Sequence, residues 1–229
     1  MTGTLAVVST PIGNLSDMTF RGVETLKAAS RIACEDTRQT AKLLARYGIR
    51  ARTVSLHEHN ERARAPELLE ALEGGDTVAL VSDGGTPLIS DPGWRLVRGA
   101  IERGIAVTWI PGPSALIGAL VLSGLPTDRF TFEGFLPVKP GARRRRLETL
   151  AREGRTVVLF ESPHRLCRLL GELREAAGDV QAACARELSK QFEEVRRGPV
   201  SELEAHFARV TPRGEFVVVA SMPNKSGTL

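Results

Sequence analysis

The sequence is poor in cysteine, tyrosine, tryptophan and lysine, and it has no long apolar run. Cys34, Cys167 and Cys184 are its three cysteines in 229 residues, a scattered set with no C-x-x-C pair. That excludes a disulfide framework and a cysteine-held zinc, and it suits a reducing cytoplasm. No apolar stretch reaches the ~18 residues a membrane span requires. The longest, Ala115–Leu122, contains Gly118. The opening residues, MTGTLAVVSTPIG, lack a basic region and an adequate apolar core, so they do not read as a secretory signal. One tyrosine and two tryptophans are too few for a base-stacking platform of the RRM or OB kind. No G-x-G-x-x-G follows the first apolar run, and neither G-x-x-x-x-G-K-[ST] nor G-x-S-x-G occurs. Dinucleotide-binding, P-loop and serine-hydrolase readings therefore lose their main support. His57-x-His59 has a ligand-like spacing but no accompanying carboxylate–histidine helix motif. It reads as a hydrogen-bonded loop pair, and no metal is expected.

What remains is the composition of an ordinary globular chain, 42% hydrophobic and 25% charged, long enough for one large domain or two small ones. The net charge is +4, and only five of the 31 basic residues are lysine. Arginine suits bidentate contact with phosphate or carboxylate, although arginine excess can also reflect genome composition.

Short apolar runs alternate with helical patterns. Residues 5–9, 31–34, 53–56, 78–82 and 107–110 read as buried strands, separated by helices near 19–29, 37–47, 66–73 and 94–103. Asp17 reads as the N-cap of the first helix, and Gly48, Gly74 and Gly104 stand at C-cap positions. This alternation predicts a mostly parallel sheet covered on both faces. After residue 110 strands lie closer together: an apolar helix at 114–123, a strand at 130–136 interrupted by Gly134, a basic helix at 143–152, then strands at 156–160, 181–187, 195–198 and 216–220 with helices at 166–176 and 201–209. That half predicts a mixed sheet. The domains are expected at 1–112 and 113–229, with residues 224–229 frayed.

Ligands of open α/β sheets bind beyond the carboxyl ends of the strands. The residues there are T-P-I-G-N-L-S-D (10–17), E-D-T-R (35–38), H-E-H-N (57–60), S-D-G-G-T-P-L-I-S-D-P-G (82–93) and P-G-P-S-A (111–115). Gly84 and Gly85 give backbone freedom for close approach to a ligand. Asp83 can accept from a ligand amine or hydroxyl, and Ser114 opens a helix where N–H groups favour an anion. The same residues also fit plain turns and an ordinary N-cap.

Together these stretches, with F-E-G-F-L-P, F-E-S-P-H-R and R-E-L-S-K further on, closely resemble the tetrapyrrole methylase family, in its ribosomal-RNA branch. They run in one order from about residue 6 to about residue 220. The resemblance implies two α/β domains of that type with S-adenosyl-L-methionine in the interdomain cleft. By residue it implies cofactor contacts at Pro11, Asp83, Gly84, Gly85, Thr86, Ser114, Ala115 and Phe160. It further implies methyl transfer to the ribose 2′-oxygen of a cytidine in 16S ribosomal RNA, a small-subunit substrate, and a homodimer. A weakly acidic ribose hydroxyl needs a base or a cation beside it. The candidates are Asp36, Arg38, Glu187 and Lys190, with Lys190 able to serve as a base if desolvated near cations. Each also fits a structural ion pair. Lys139 and Arg143, Arg144, Arg145 and Arg146 are expected to contact RNA phosphates or to form a solvated basic face. The competing readings are a methylase of a corrin precursor and a non-catalytic RNA-binding ribosome assembly factor.

Overall fold

A computed structural model describes residues 2–223, so the expected fraying of 224–229 lies outside the described residues. The chain divides into two compact units, Met1–Ser114 and Ala115–Leu229.

The first unit is a five-stranded sheet in the order β3-β2-β4-β1-β5, with every recorded pairing parallel. Its strands are β1 (Thr4–Val8), β2 (Arg31–Cys34), β3 (Arg52–Ser55), β4 (Thr77–Leu80) and β5 (Ala106–Ile110). Helices α1 (Phe20–Ala28), α2 (Thr37–Arg46), α3 (Glu61–Glu73) and α4 (Trp94–Glu102) connect them. Strand alternation sends Leu5 and Val7 into one core with Leu68, Leu72 and Leu96, and Ala6 and Val8 into another with Leu26, Leu43 and Leu44. Both faces are thus covered, which is why these strands read as unbroken apolar runs. Because β1 lies between β4 and β5, three of the loops singled out in the sequence leave neighbouring strands.

The second unit is a mixed sheet, β6-β7-β10-β8-β9, in which only β6 and β7 run parallel. Its strands are β6 (Phe130–Phe135), β7 (Thr156–Glu161), β8 (Gln181–Arg186), β9 (Glu194–Pro199) and β10 (Phe216–Ser221). Helices α6 (Pro140–Glu153), α7 (Leu166–Ala177) and α8 (Val200–Arg209) bury Leu147, Leu150, Leu169, Leu173 and Leu203 on one face. Helix α5 (Ala115–Ser123) packs against β8 and β10. The register of β6 slips between Phe132 and Gly134, where Gly134 has φ 66°.

Three local expectations change. Thr19, not Asp17, caps α1: its side chain accepts from the Gly22 N–H, while Asp17 ends a short 3-10 turn. Helix α3 starts at Glu61 rather than Pro66, because a turn at His57–Asn60 nucleates it upstream. Helix α6 starts at Pro140 rather than Arg143, with the proline in the first turn, where its missing N–H is not needed.

Candidate functional site

At the carboxyl edge of the first sheet, the loops after β1, β4 and β5 are tied to one another. Thr10 and Gly85 exchange backbone hydrogen bonds, each 2.9 Å. The Ser9 and Thr86 hydroxyls are 2.9 Å apart, and the Thr10 hydroxyl donates to the Ser82 carbonyl at 3.2 Å. A Cβ on Gly84 would stand 3.1 Å from the Pro11 carbonyl oxygen, and one on Gly112 would stand 2.9 Å from the Ser9 Cβ. A side chain at position 84 would crowd the neighbouring β1 loop, which fits the plain-turn reading of this glycine as well as the ligand one. Gly85, at φ 92°, needs its own left-handed freedom. Pro11, Gly84, Gly85 and Thr86 so form one ridge, and Ser114 ends the adjoining β5 loop, just before α5 opens at Ala115.

Asp83 faces the loop after β2. Its Oδ1 accepts from the Asp36 N–H at 3.0 Å. Asp36 is the N-cap of α2, accepting from the Arg38 N–H at 2.8 Å, and its carboxylate also receives the Arg38 Nε and Nη2 at 3.1 and 2.7 Å. The Arg38 guanidinium holds the Asp36 carboxyl down at about 2, and the same pair raises Arg38. Asp36 is therefore too weak a base to take a proton from a hydroxyl near neutral pH. Glu35 behaves oppositely. Burial pushes its carboxyl up, and Asp83, Asp91, Asp36 and Glu58 add to the rise. The sequence reading passed over Glu35, although the E-D-T-R loop contains it.

In the second unit, the loop after β8 carries Glu187 and Lys190. Lys190 Nζ donates to Glu187 at 3.0 Å and to Glu215 at 2.7 Å. Burial opposes its charge, but the two carboxylates outweigh it and hold the ammonium above the ordinary lysine range. This runs against the expectation of a lysine base: the partners described for Lys190 are two carboxylates, which favour its ammonium form. Burial likewise works against the Glu187 carboxylate, but the Glu215 N–H and Lys190 outweigh that and bring it below its usual range. Glu187 also accepts from the Glu215 backbone N–H at 3.0 Å, so it shapes the loop as well as neutralising it. Phe160, on β7, meets Phe132 and Phe135 edge-on at 5.0 and 5.7 Å.

Among the described residues, the non-glycine positions in left-handed backbone are Leu88, Ser90, Glu187 and Ser189. They fall in the two loops from which the sequence reading drew Asp83 and Lys190. Such strain persists only where surrounding structure enforces it, and it concentrates at functional sites. The His57 and His59 rings meet edge-on at 6.0 Å. His57 Nδ1 is buried with no hydrogen-bond partner, contrary to the expectation of a hydrogen-bonded pair.

The arginine run on α6 splits by side. Arg143 is only 2% exposed and is paired with Glu172 on α7, its Nη2 at 2.9 Å. Arg146 makes two 2.6 Å bonds to Glu133 on β6. Both belong to the packing of this unit, which corrects their assignment to RNA. Lys139, Arg144 and Arg145 are exposed, and Arg144 pairs with Glu148 one turn on. Arg143→Gln should therefore lower unfolding stability by about 3 kcal/mol, as for a broken buried pair. Arg144→Gln should cost about 1 kcal/mol or less. Urea denaturation of the two variants checks this, and equal midpoints would refute it.

Residues 4–204 match the sequence model of the tetrapyrrole (corrin/porphyrin) methylases. A ribosomal RNA small subunit methyltransferase I of Mesorhizobium japonicum is 56% identical over 216 residues, which is 93% of this chain and 74% of that protein. The protein of that name from Thermotoga maritima is 47% identical over 219 residues, 96% of this chain and 98% of its own. Among solved structures, the methyltransferase CobJ superposes with a TM-score of 0.72 at 20% identity, covering 98% of this chain and 95% of that one.

Proposed function

Because the chain belongs to the tetrapyrrole methylase family, we propose that it transfers a methyl group from S-adenosylmethionine to the ribose 2′-oxygen of a cytidine in 16S ribosomal RNA. The observation that carries this reading is chain-long identity of 47–56% to proteins named for the small-subunit RNA. Likeness to CobJ at 20% identity carries the fold and not a corrin substrate.

The residues present suit the cofactor. One Asp83 oxygen is engaged by Asp36, which leaves the other for a ligand hydroxyl or amine. Gly84, exposed beside Asp83, leaves backbone open to a ligand, with Pro11 and Gly85 buried next to it and Thr86 half-buried. Ser114 and Ala115, at the start of α5, offer helix-terminal N–H groups to a carboxylate. Phe160 offers an apolar face. S-adenosylmethionine supplies a methyl made electrophilic by its sulfonium, so the protein's task is alignment and charge. Lys190 acts as the cation that favours an ionised ribose oxygen, and Glu187 positions it. Arg38, oriented by Asp36, contacts the RNA. Glu35, like Asp91 in the neighbouring loop, is a carboxylate whose proton affinity is raised by burial, and it lies next to Asp36, which makes it the candidate base. Lys139, Arg144 and Arg145 take phosphates.

Among the described residues no helix is long and apolar enough to cross a membrane, and we place the protein in the cytoplasm, where its substrate is. We also assign a homodimer, through the outer side of α5, where Ile117, Val121 and Leu122 are exposed on an otherwise apolar helix. Val121→Asp should halve the mass seen by sedimentation. An unchanged mass would remove that surface from the interface.

The reading is tested by supplying labelled S-adenosylmethionine and small subunits from cells lacking this activity. Label should enter the 16S RNA. With a corrin precursor supplied in a parallel reaction, label there and none in the 16S RNA would reverse the assignment.

A further inference from the structure

Helix α2 buries Thr40, Leu43 and Leu44, and this fixes its outward side. Arg38, Lys42 and Arg46 are exposed on that side. Spaced four residues apart, they follow one another at roughly 6 Å along the helix. Arg50 follows α2 in the chain and Arg52 opens β3, an edge strand, and both are exposed. Between Thr37 and His57 there are five cations and no carboxylate.

Helix stability does not account for this row. Four exposed arginines on other helices have a glutamate one turn away: Arg64 with Glu67, Arg98 with Glu102, Arg144 with Glu148, Arg168 with Glu172. On α2 the Lys42 ammonium finds only the neutral Gln39 amide, at 2.8 Å, and Arg46 stands over the Tyr47 ring at 5.9 Å. Arg38 pairs with Asp36, yet its side chain is still 87% exposed. Like charges one turn apart repel and weaken a helix, and Lys42, between Arg38 and Arg46, has no compensating carboxylate one turn away in the sequence. The row also begins at the site, because the Asp36 that caps α2 is hydrogen-bonded to Asp83.

We infer that the outer face of α2 is the track on which the substrate's RNA backbone is held. Arg38 lies at the end of the track next to the Asp36–Asp83 loops, and Lys42, Arg46, Arg50 and Arg52 meet successive phosphates further along. This rests on the reading that the substrate is RNA. Beyond the Arg38–Asp36 pair, the line Lys42, Arg46, Arg50, Arg52 has no carboxylate within its stretch of sequence, and a chain of phosphates is the partner that matches such a line of cations.

The test uses the full chain, transcribed 16S ribosomal RNA, and Lys42→Gln/Arg46→Gln/Arg50→Gln. Each neutralised phosphate contributes roughly −0.7 to −0.9 to the slope of log affinity against log salt. The triple variant should flatten that slope by about 2. Its S-adenosylmethionine affinity should be unchanged, and its melting temperature equal or higher, because repulsion is relieved. A retained slope would overturn the α2 assignment while the RNA reading stands. Absence of 16S binding by the unaltered protein would overturn the RNA reading and the track with it. Should the triple variant fail to fold, Lys42→Gln alone should shift the slope by roughly 0.7–0.9, and no shift would refute the track.

Discussion

Replacing Asp83 with alanine should weaken S-adenosylmethionine binding roughly tenfold to a hundredfold, the equivalent of losing a hydrogen bond to a charged group at about 1.5–3 kcal/mol. Asp83 has a second duty, however, since it accepts from the Asp36 N–H at the start of α2. Asp83→Asn separates the two. The amide oxygen can keep the bond to Asp36 while the negative charge is lost. Calorimetry should show both variants impaired if the charge meets the cofactor, and only the alanine variant impaired if the residue merely braces the loop. Unchanged affinity in folded Asp83→Ala would remove Asp83 from the cofactor site.

The second large effect is expected at Lys190. With Glu187 and Glu215 holding it protonated, Lys190→Met should slow single-turnover methyl transfer by about a hundredfold or more, as for removal of one electrostatic contact to a developing oxyanion. Cofactor affinity should stay within about twofold. Lys190→Arg should restore part of the rate, because arginine supplies charge but no base. The pH profile of the residual rate should keep the shape of the wild type, since a lysine above its ordinary value of about 10.4 does not titrate over the assay range. A near-normal rate in Lys190→Met would take this loop out of the chemistry. Loss, in that variant, of a wild-type rise in rate with increasing pH would show that Lys190 had been acting as a base. Glu187 is a poorer probe, because its carboxylate also anchors the Glu215 backbone.

Much of the fold is legible in the sequence because parallel strands buried on both faces leave uninterrupted apolar runs. Residues 31–34 form a strand with the bounds the sequence suggests, and α4 starts at the expected Trp94. The misplaced starts of α3 and α6 share one cause. In the sequence a proline and a charged run look like beginnings, whereas a turn at His57–Asn60 and a proline in the first turn set the true ones. At the candidate site, residue types were readable and partners were not. Nothing in R-R-R-R says that the first arginine meets Glu172 in the interior while the second faces solvent. That depends on helical phase, which follows from where α6 begins. Nothing local says that Lys190 lies between two carboxylates, because Glu215 comes 25 residues later. The row on α2 is legible in the sequence at four-residue spacing, Arg38, Lys42 and Arg46, but its exposure depends on which side the helix buries.

The claim that joins these parts is that this chain methylates a ribose oxygen of 16S ribosomal RNA. Mass mapping of nuclease fragments of that RNA, from cells with and without the protein, tests it most directly. The account predicts one cytidine-containing fragment that loses a single methyl mass when the protein is absent, with the methyl on the ribose. It also predicts recovery on adding the protein with S-adenosylmethionine. Identical 16S fragment masses in both cells, or a methyl on the base, would contradict it.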